Sequence, residues 1–315
     1  MRSDGFIAPV VEMPRTGPED PRIGHLMQPE LTAGSAVALV GFAVDDGVVR
    51  NGGRAGAAGG PDAIRRHFYR LTPGGDDAPG LEALLRRTCD LGNLRLTADL
   101  EENQERLGEL VGELLERRLT VVVLGGGHET TFGHFLGYVV ARRPVEILNW
   151  DAHADVRELR GARGHSGSPF RQAIEHPSKL CRRYDVAGLL AHANSAAHLR
   201  FVREHGGRAV LLESLRHDEV EALYRGREPS LLVSFDLDVL DQAFAPGVSA
   251  PATRGMPPAF WLKAVRGAGS CPAVTSIDFV EVNPVLDRDG QTARLTAVGL
   301  WTFLAGRAAQ SGREL

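Results

Sequence analysis

An α/β fold built on a parallel sheet is what this sequence predicts, on three observations. Short apolar runs recur along the chain, and helix-patterned stretches separate most of them. Alternation of that kind implies parallel βαβ units with both faces of the sheet covered. The composition, 43% hydrophobic and 24% charged, supplies a full core without disulfide or metal staples. The beat runs from about residue 36 to the end of the 315 residues without a linker. A short N-terminal arm (1–32) followed by one domain (33–315) is therefore expected.

Residues 1–32 carry early charges and several prolines but no periodic pattern, and read as an extended arm, neither a signal peptide nor a transit helix. The first strand is 36–42 (AVALVGF), an apolar run closed by charge. NGGRAGAAGG at 51–60 has no GKS or GKT ending and no GxGxxG register. Close backbone turns explain it better than a phosphate loop. Pro61 sits near the first turn of a helix through IRRHFYRL. PGGDDAPG at 73–80 is a loop. A long helix at 99–118 precedes a buried strand at 120–124 (TVVVL); a helix at 131–142 precedes a strand at 145–150 (VEILNW). Further strands are expected at 184–190, 208–212, 231–236 and 273–280, and helices at 195–205, 218–225 and 257–266.

Charge and cysteine usage narrow the function classes. Thirty-six Lys plus Arg against 40 Asp plus Glu give a net charge of -4, which argues against general affinity for nucleic acid. Apolar runs fall well short of the ~20 residues a membrane span needs. Three scattered cysteines, Cys89, Cys181 and Cys271, form no CxxC pair, so a reducing, cytoplasmic compartment is expected.

The chemistry gathers where strands end, the place where open α/β sheets build their sites. TVVVL runs into GGGHE, which delivers His128. VEILNW runs into DAHAD, with Asp151, His153 and Asp155 at alternate positions that point one way on an extended backbone. LLVSF runs into DLD, so Asp236 and Asp238 also share a face. Four carboxylates brought together without counterions repel strongly, whereas two divalent cations balance them. Oxygen-rich ligands with imidazole and no thiolate favour Mn²⁺, with Ni²⁺, Co²⁺ or Fe²⁺ as alternatives. Any one of these segments alone is as ordinary as a cap or a turn; the set of three in strand context is not.

GGGHE, NWDAHADVR, SFDLDVLD and SIDFVEVNP resemble, in order, the signature blocks of the ureohydrolase family of arginases, agmatinases and formimidoylglutamases. The resemblance covers about residues 36–305. It implies a three-layer α/β/α sandwich with a mostly parallel eight-stranded sheet, two Mn²⁺ ions per subunit and assembly as a trimer or hexamer. His128, Asp151, His153, Asp155, Asp236 and Asp238 fall on its metal positions, with Asp151 and Asp236 as bridges. Glu281 falls where the family holds the cationic amidine or guanidine, a pairing that suits a carboxylate. A metal-bridging hydroxide is the implied nucleophile, and Asp155 the group that carries its proton to the leaving amine.

The segments around the metal blocks point within the family. GFAVDDGVVRNGGRAGAAGGPDAIR and GHSGSPFRQA resemble the formimidoylglutamase versions, which implies hydrolysis of N-formimidoyl-L-glutamate to L-glutamate and formamide in histidine degradation. Agmatinase- or arginase-like release of urea is the alternative. Aligning SGSPF puts Ser166 in the slot where arginases and agmatinases carry a proton-shuttling His; a one-residue slip puts His165 there instead. The two carboxylates of the small amidine substrate call for cations and amides, for which Asn51, Arg54, Arg157, Arg171 and Asn194 are candidates. Each is also what an ordinary loop-bracing residue looks like. Ala154 stands where formimidoylglutamases commonly have Phe, which widens the pocket or changes a packing contact.

Overall fold

The computed structural model describes residues 5–17 and 19–311. The outermost residues of the expected arm and domain, 1–4 and 312–315, lie outside that description. The sheet has nine strands: β1 (Phe6–Ile7), β2 (Val37–Phe42), β3 (Thr88–Leu94), β4 (Thr120–Gly125), β5 (Val145–Trp150), β6 (Cys181–Leu189), β7 (Ala209–Leu211), β8 (Leu231–Asp236) and β9 (Val274–Val280). Their spatial order is β1-β3-β2-β4-β9-β8-β5-β6-β7. The eight strands β2 to β9 pair in parallel, as expected. The ninth comes from the arm, whose Phe6 and Ile7 pair antiparallel with Leu94 and Asn93.

Among the described residues ten α-helices flank the strands: α1 (Ile23–Leu26), α2 (Asp46–Arg50), α3 (Gly60–Phe68), α4 (Leu81–Leu85), α5 (Leu100–Glu116), α6 (Thr130–Val140), α7 (Pro169–Glu175), α8 (Ala196–Glu204), α9 (Pro258–Ser270) and α10 (Gln291–Ser311). The strands' two-residue period divides the core. Val37, Leu39, Val122, Leu124, Val233, Phe235, Ile277 and Phe279 pack on one side with α3, α4, α9 and α10. Ala38, Val40, Phe42, Val121, Val123, Ile147 and Leu232 pack on the other with α5, α6, α7 and α8. Three layers follow, and strands buried on both faces read as continuous apolar runs.

Strand β3 and helix α10 are among the elements that escaped the sequence pattern. Strand β3 (TCDLGNL) holds Gly92, Asp90 and Asn93, poor strand formers. Its buried Asp90 is satisfied by the fully buried Arg65, with Nε and Nη2 each 2.9 Å from a carboxylate oxygen. Helix α10 has no clear polar face because it lies on the apolar layer, with Ala297, Leu300, Phe303 and Leu304 buried. A Cβ at Gly299 would collide with the Trp261 ring of α9, so glycine sets this close helix contact. Residues 218–225, expected as a helix, form a 3₁₀ turn over His217–Tyr224.

Candidate metal centre and substrate cavity

Adjacency of β4, β9, β8 and β5 in the sheet makes the site. Their carboxyl ends lead into Gly125–Glu129 (125–129), Glu281, the 236–238 turn and the 151–155 loop. Residues more than a hundred positions apart thus meet at one edge. The glycine run before His128 has a steric cause. Gly126 N–H donates to Phe42 O (2.9 Å) and Gly127 N–H to Val44 O (2.9 Å), hugging the exit of β2. A Cβ on Gly126 would collide with the Val44 carbonyl, and one on Gly127 with Glu129 and Val48.

His128 is fully buried. Its Nδ1 lies 3.3 Å from Asp151 Oδ2, 2.9 Å from Asp155 Oδ2 and 3.0 Å from Asp236 Oδ2. His153 Nδ1 lies 3.1 Å from Asp238 Oδ2 and 3.5 Å from Asp151 Oδ1. The six residues form two ligand groups, His128–Asp151–Asp155–Asp236 and Asp151–His153–Asp238, each with its donor atoms within 4.8 Å of one another. Asp151 belongs to both and offers a different oxygen to each, the geometry of a bridging carboxylate. Asp236, expected beside Asp151 as a second bridge, stands in the first group only, and its Oδ1 accepts the backbone N–H of Asp238 at 2.8 Å.

The extended arrangement expected for these segments is not what forms. Strand β5 stops at Trp150, and Asp155 has a left-handed backbone (φ 45°). His153 therefore parts from Asp155 and joins the second group. Asp236 and Asp238 are likewise split, because Leu237–Val239 is a 3₁₀ turn capped by the Asp236 side chain. These two turns make two neighbouring positions out of three strand ends.

The donor set fits divalent cations. Among the described residues, buried His128 Nδ1 and Asp238 Oδ1 have no hydrogen-bond partner. The electrostatics show the same deficit. Burial pushes Asp236 well above the usual carboxylate range, and repulsion from Asp238 and Asp151 adds to it. Burial likewise lifts Asp238 to about 6. Asp238 raises His153 to about 12. For Asp151 the upward push of burial is outweighed by the close imidazoles of His128 and His153, which hold it below its ordinary value. Without cations, this end of the sheet can neutralise itself only by holding protons.

Above the ligand groups opens a cavity of about 290 Å³ lined by His153, Asp155, Asp236, Asp238 and Glu281 below and by Asn51, Arg54, Arg157, Ser166 and Ser249 toward its mouth. Glu281 is buried and left-handed (φ 69°), and its Oε1 accepts the His128 N–H at 2.8 Å. Burial, with repulsion from Glu129 and Asp238, holds its carboxyl well above the ordinary range. Asp45 Oδ2 gathers the glycine loop by accepting Gly56 N–H at 2.6 Å. That loop presents Arg54, whose Nε and Nη2 donate to Ser249 O at 3.0 and 2.8 Å. Arg157 Nη1 donates to Asn51 Oδ1 at 3.2 Å, and Asn51 Nδ2 donates to Ser166 Oγ at 3.1 Å.

Three expected contacts lie elsewhere. Arg171 does not line the cavity: it pairs with Glu175 at 2.9 Å, donates to Val156 O and lies 4.1 Å over the Phe201 ring. Asn194 braces the ligand loop instead. Its Oδ1 accepts Ala154 N–H (2.9 Å), and its Nδ2 donates to Ala152 O (2.8 Å) and Leu190 O (2.9 Å). His165 is turned into its own loop, with Nε2 2.9 Å from Glu158 O and Nδ1 accepting Gly167 N–H, and burial lowers its pKa. Ser166 is the one of the two that faces the cavity. Ala154 is a core contact rather than a wall. Ser249, which sequence reasoning missed, lies in a loop without any periodic signal.

This is an α/β sandwich with a paired metal-ligand cluster at the carboxyl edge of a parallel sheet. The sequence matches the Arginase family over residues 35–306, and the chain belongs to that family. It is 34% identical over 290 residues to a formimidoylglutamase of Geobacillus thermodenitrificans, covering 88% of this chain and 86% of that one. It is 38% identical over 269 residues to a formimidoylglutamase of Salmonella paratyphi B, covering 83% and 82%. Its fold is similar to the crystal structure of Trypanosoma cruzi formiminoglutamase with two Mn²⁺, at a TM-score of 0.86 and 30% identity over 92% of this chain and 99% of that one.

Proposed function

We propose that this protein is a binuclear manganese hydrolase, a formimidoylglutamase that splits N-formimidoyl-L-glutamate into L-glutamate and formamide. The observation that carries the reading is one cavity that joins the six His and Asp residues to Glu281 below and to Arg54 and Arg157 toward its mouth. His128, Asp151, Asp155 and Asp236 would hold one ion, and Asp151, His153 and Asp238 the other. When bound, the ions supply Lewis acidity that polarises water and offsets the clustered carboxylates.

The chain's own groups do the rest. Glu281, fixed by the His128 N–H, pairs with the formimidoyl cation and orients its carbon over the ligand groups. Arg54, Arg157 and Asn51 take the substrate carboxylates at the mouth. Water adds to the formimidoyl carbon, the bond from that carbon to the glutamate nitrogen breaks, and Asp155 moves the proton from the water to that nitrogen. Ser166 at the cavity wall, with His165 turned away, supports this substrate over a guanidine.

A subunit of one domain (33–315) with an arm (1–32), working in the cytoplasm as a trimer or hexamer, belongs to the same proposal. No helix among the described residues is long and apolar enough to cross a membrane. The test is turnover by Mn²⁺-loaded protein on N-formimidoyl-L-glutamate, agmatine and L-arginine separately. Glutamate and formamide from the first alone are expected; urea from either of the others overturns the assignment.

A further inference from the structure

A buried polar network stands behind His128, away from the cavity. His128 Nε2 lies 3.0 Å from Ser234 Oγ, and Ser234 Oγ donates to Asp278 Oδ1 at 2.5 Å. Asp278 Oδ2 accepts from Thr131 Oγ1 at 3.1 Å and lies 2.8 Å from His134 Nδ1. His128, Thr131, His134, Ser234 and Asp278 are all essentially inaccessible to solvent, and no Lys or Arg pairs with Asp278 among the described residues. Buried polar residues in the middle of the apolar strands β8 and β9, and a histidine on the buried face of α6, are expensive unless satisfied.

The direction of each hydrogen bond follows from what each group can do. A carboxylate at Asp278 only accepts. The Ser234 hydroxyl must therefore point its proton at Asp278, and its oxygen is left to accept from His128. His128 then carries hydrogen on Nε2. In the neutral ring that leaves Nδ1, the atom aimed at Asp151, Asp155 and Asp236, with a free lone pair.

We propose that Asp278, held by His134 and Thr131, is a positioning residue that acts through Ser234 to fix which nitrogen His128 offers to a metal ion. Hydrogen bonds behind a ligating histidine fix its tautomer and ring orientation in this way. The inference rests on the manganese reading above. An amide at Asp278 could donate to Ser234, turn the hydroxyl proton toward His128 Nε2 and leave the wrong nitrogen protonated.

Calorimetry of Mn²⁺ binding to the full chain, stripped of metal, tests this. Wild-type protein is expected to take two ions. Asp278→Asn is expected to weaken one of them about 10- to 100-fold, while the ion assigned to Asp151, His153 and Asp238 keeps its affinity. His134→Asn, whose amide can donate from near the place of Nδ1, is expected to keep wild-type binding; His134→Leu is expected to follow Asp278→Asn. Should Asp278→Asn fail to fold, Ser234→Ala makes the same test. Equal weakening of both ions, or unchanged binding in Asp278→Asn and Ser234→Ala beside a two-ion wild type, overturns the inference alone. A wild type that takes no Mn²⁺ overturns the manganese reading beneath it.

Discussion

Acids are handled in opposite ways on the two sides of this sheet. Toward the starts of the strands, buried Asp185 is met by Arg183 at 2.9 Å, Arg208 at 2.8 Å and Arg227 at 2.9 Å, and Arg227 also pairs with Glu146 at 2.9 Å. Toward the strand ends, Asp151, Asp155, Asp236, Asp238 and Glu281 cluster with two histidines and no lysine or arginine in ion-pair contact among the described residues. One side neutralises its charge with its own guanidinium groups. The other leaves that task to cations from outside. The contrast separates a carboxylate that stabilises the fold from one kept for chemistry.

Removing an acid from each side breaks the comparison in different observables. Asp155→Asn is expected to lower kcat/KM by about 10²- to 10⁴-fold, since it removes the metal donor and proton carrier proposed at this position. Asn tolerates the left-handed backbone at this position, so the fold should survive. Turnover near that of wild type would sink the role given to Asp155. Asp185→Asn should instead destabilise the protein by roughly 3–5 kcal/mol, the usual cost of orphaning buried charged partners. Its turnover per folded molecule should stay unchanged. A denaturant midpoint that does not move would remove the contrast.

The pH dependence of stability should have opposite signs on the two sides. Burial pushes Asp185 up, but its arginines outweigh this and hold it below its ordinary value, so its stabilisation is present above that value and fades as pH falls. In metal-free protein Asp238, at about 6, and His153, at about 12, are raised. Their stabilisation is complete at low pH and is lost as pH rises, through about pH 4–6 for Asp238 and above about pH 6.5 for His153. Metal-free protein should therefore show a Tm that drops from pH 6 to pH 8 relative to Mn²⁺-loaded protein, whose cations replace the protons. Parallel Tm profiles with and without Mn²⁺ would contradict the charge deficit assigned to the site.

How much of this was readable in the sequence differs between strand and loop. VEILNW and LLVSFD were bounded to the residue because strands covered on both faces are continuous apolar runs. The same logic failed for TCDLGNL, where Asp90 depends on an arginine far away in the chain. The six clustered His and Asp residues were legible because each lies at the end of a strand or within a few residues beyond it. Their sorting into two groups was not, because it depends on the left-handed Asp155 and on the 3₁₀ turn at Asp236. Asn194 and Arg171 show why substrate contacts are harder to read. An amide or guanidinium that braces a loop is chemically the same group as one that binds a ligand, and only its partners tell them apart.

That ambiguity gives the two smallest expected effects. Arg157 lines the cavity and is tied to it by Asn51 alone among the hydrogen bonds described above. A charge-assisted hydrogen bond to a substrate carboxylate is worth about 1.5–3 kcal/mol. Arg157→Ala should therefore raise KM by roughly 10- to 100-fold with kcat little changed, because a contact distant from the reacting carbon binds ground state and transition state alike. Arg171 spends its donors on Glu175 and Val156 O and its guanidinium plane on Phe201. Arg171→Ala should leave KM unchanged and lower Tm by a few degrees through lost packing. If Arg171→Ala raises KM as much as Arg157→Ala does, the loop of Arg157 and helix α7 with Arg171 move as a unit on binding substrate, and the division between mouth and brace drawn from their partners is wrong.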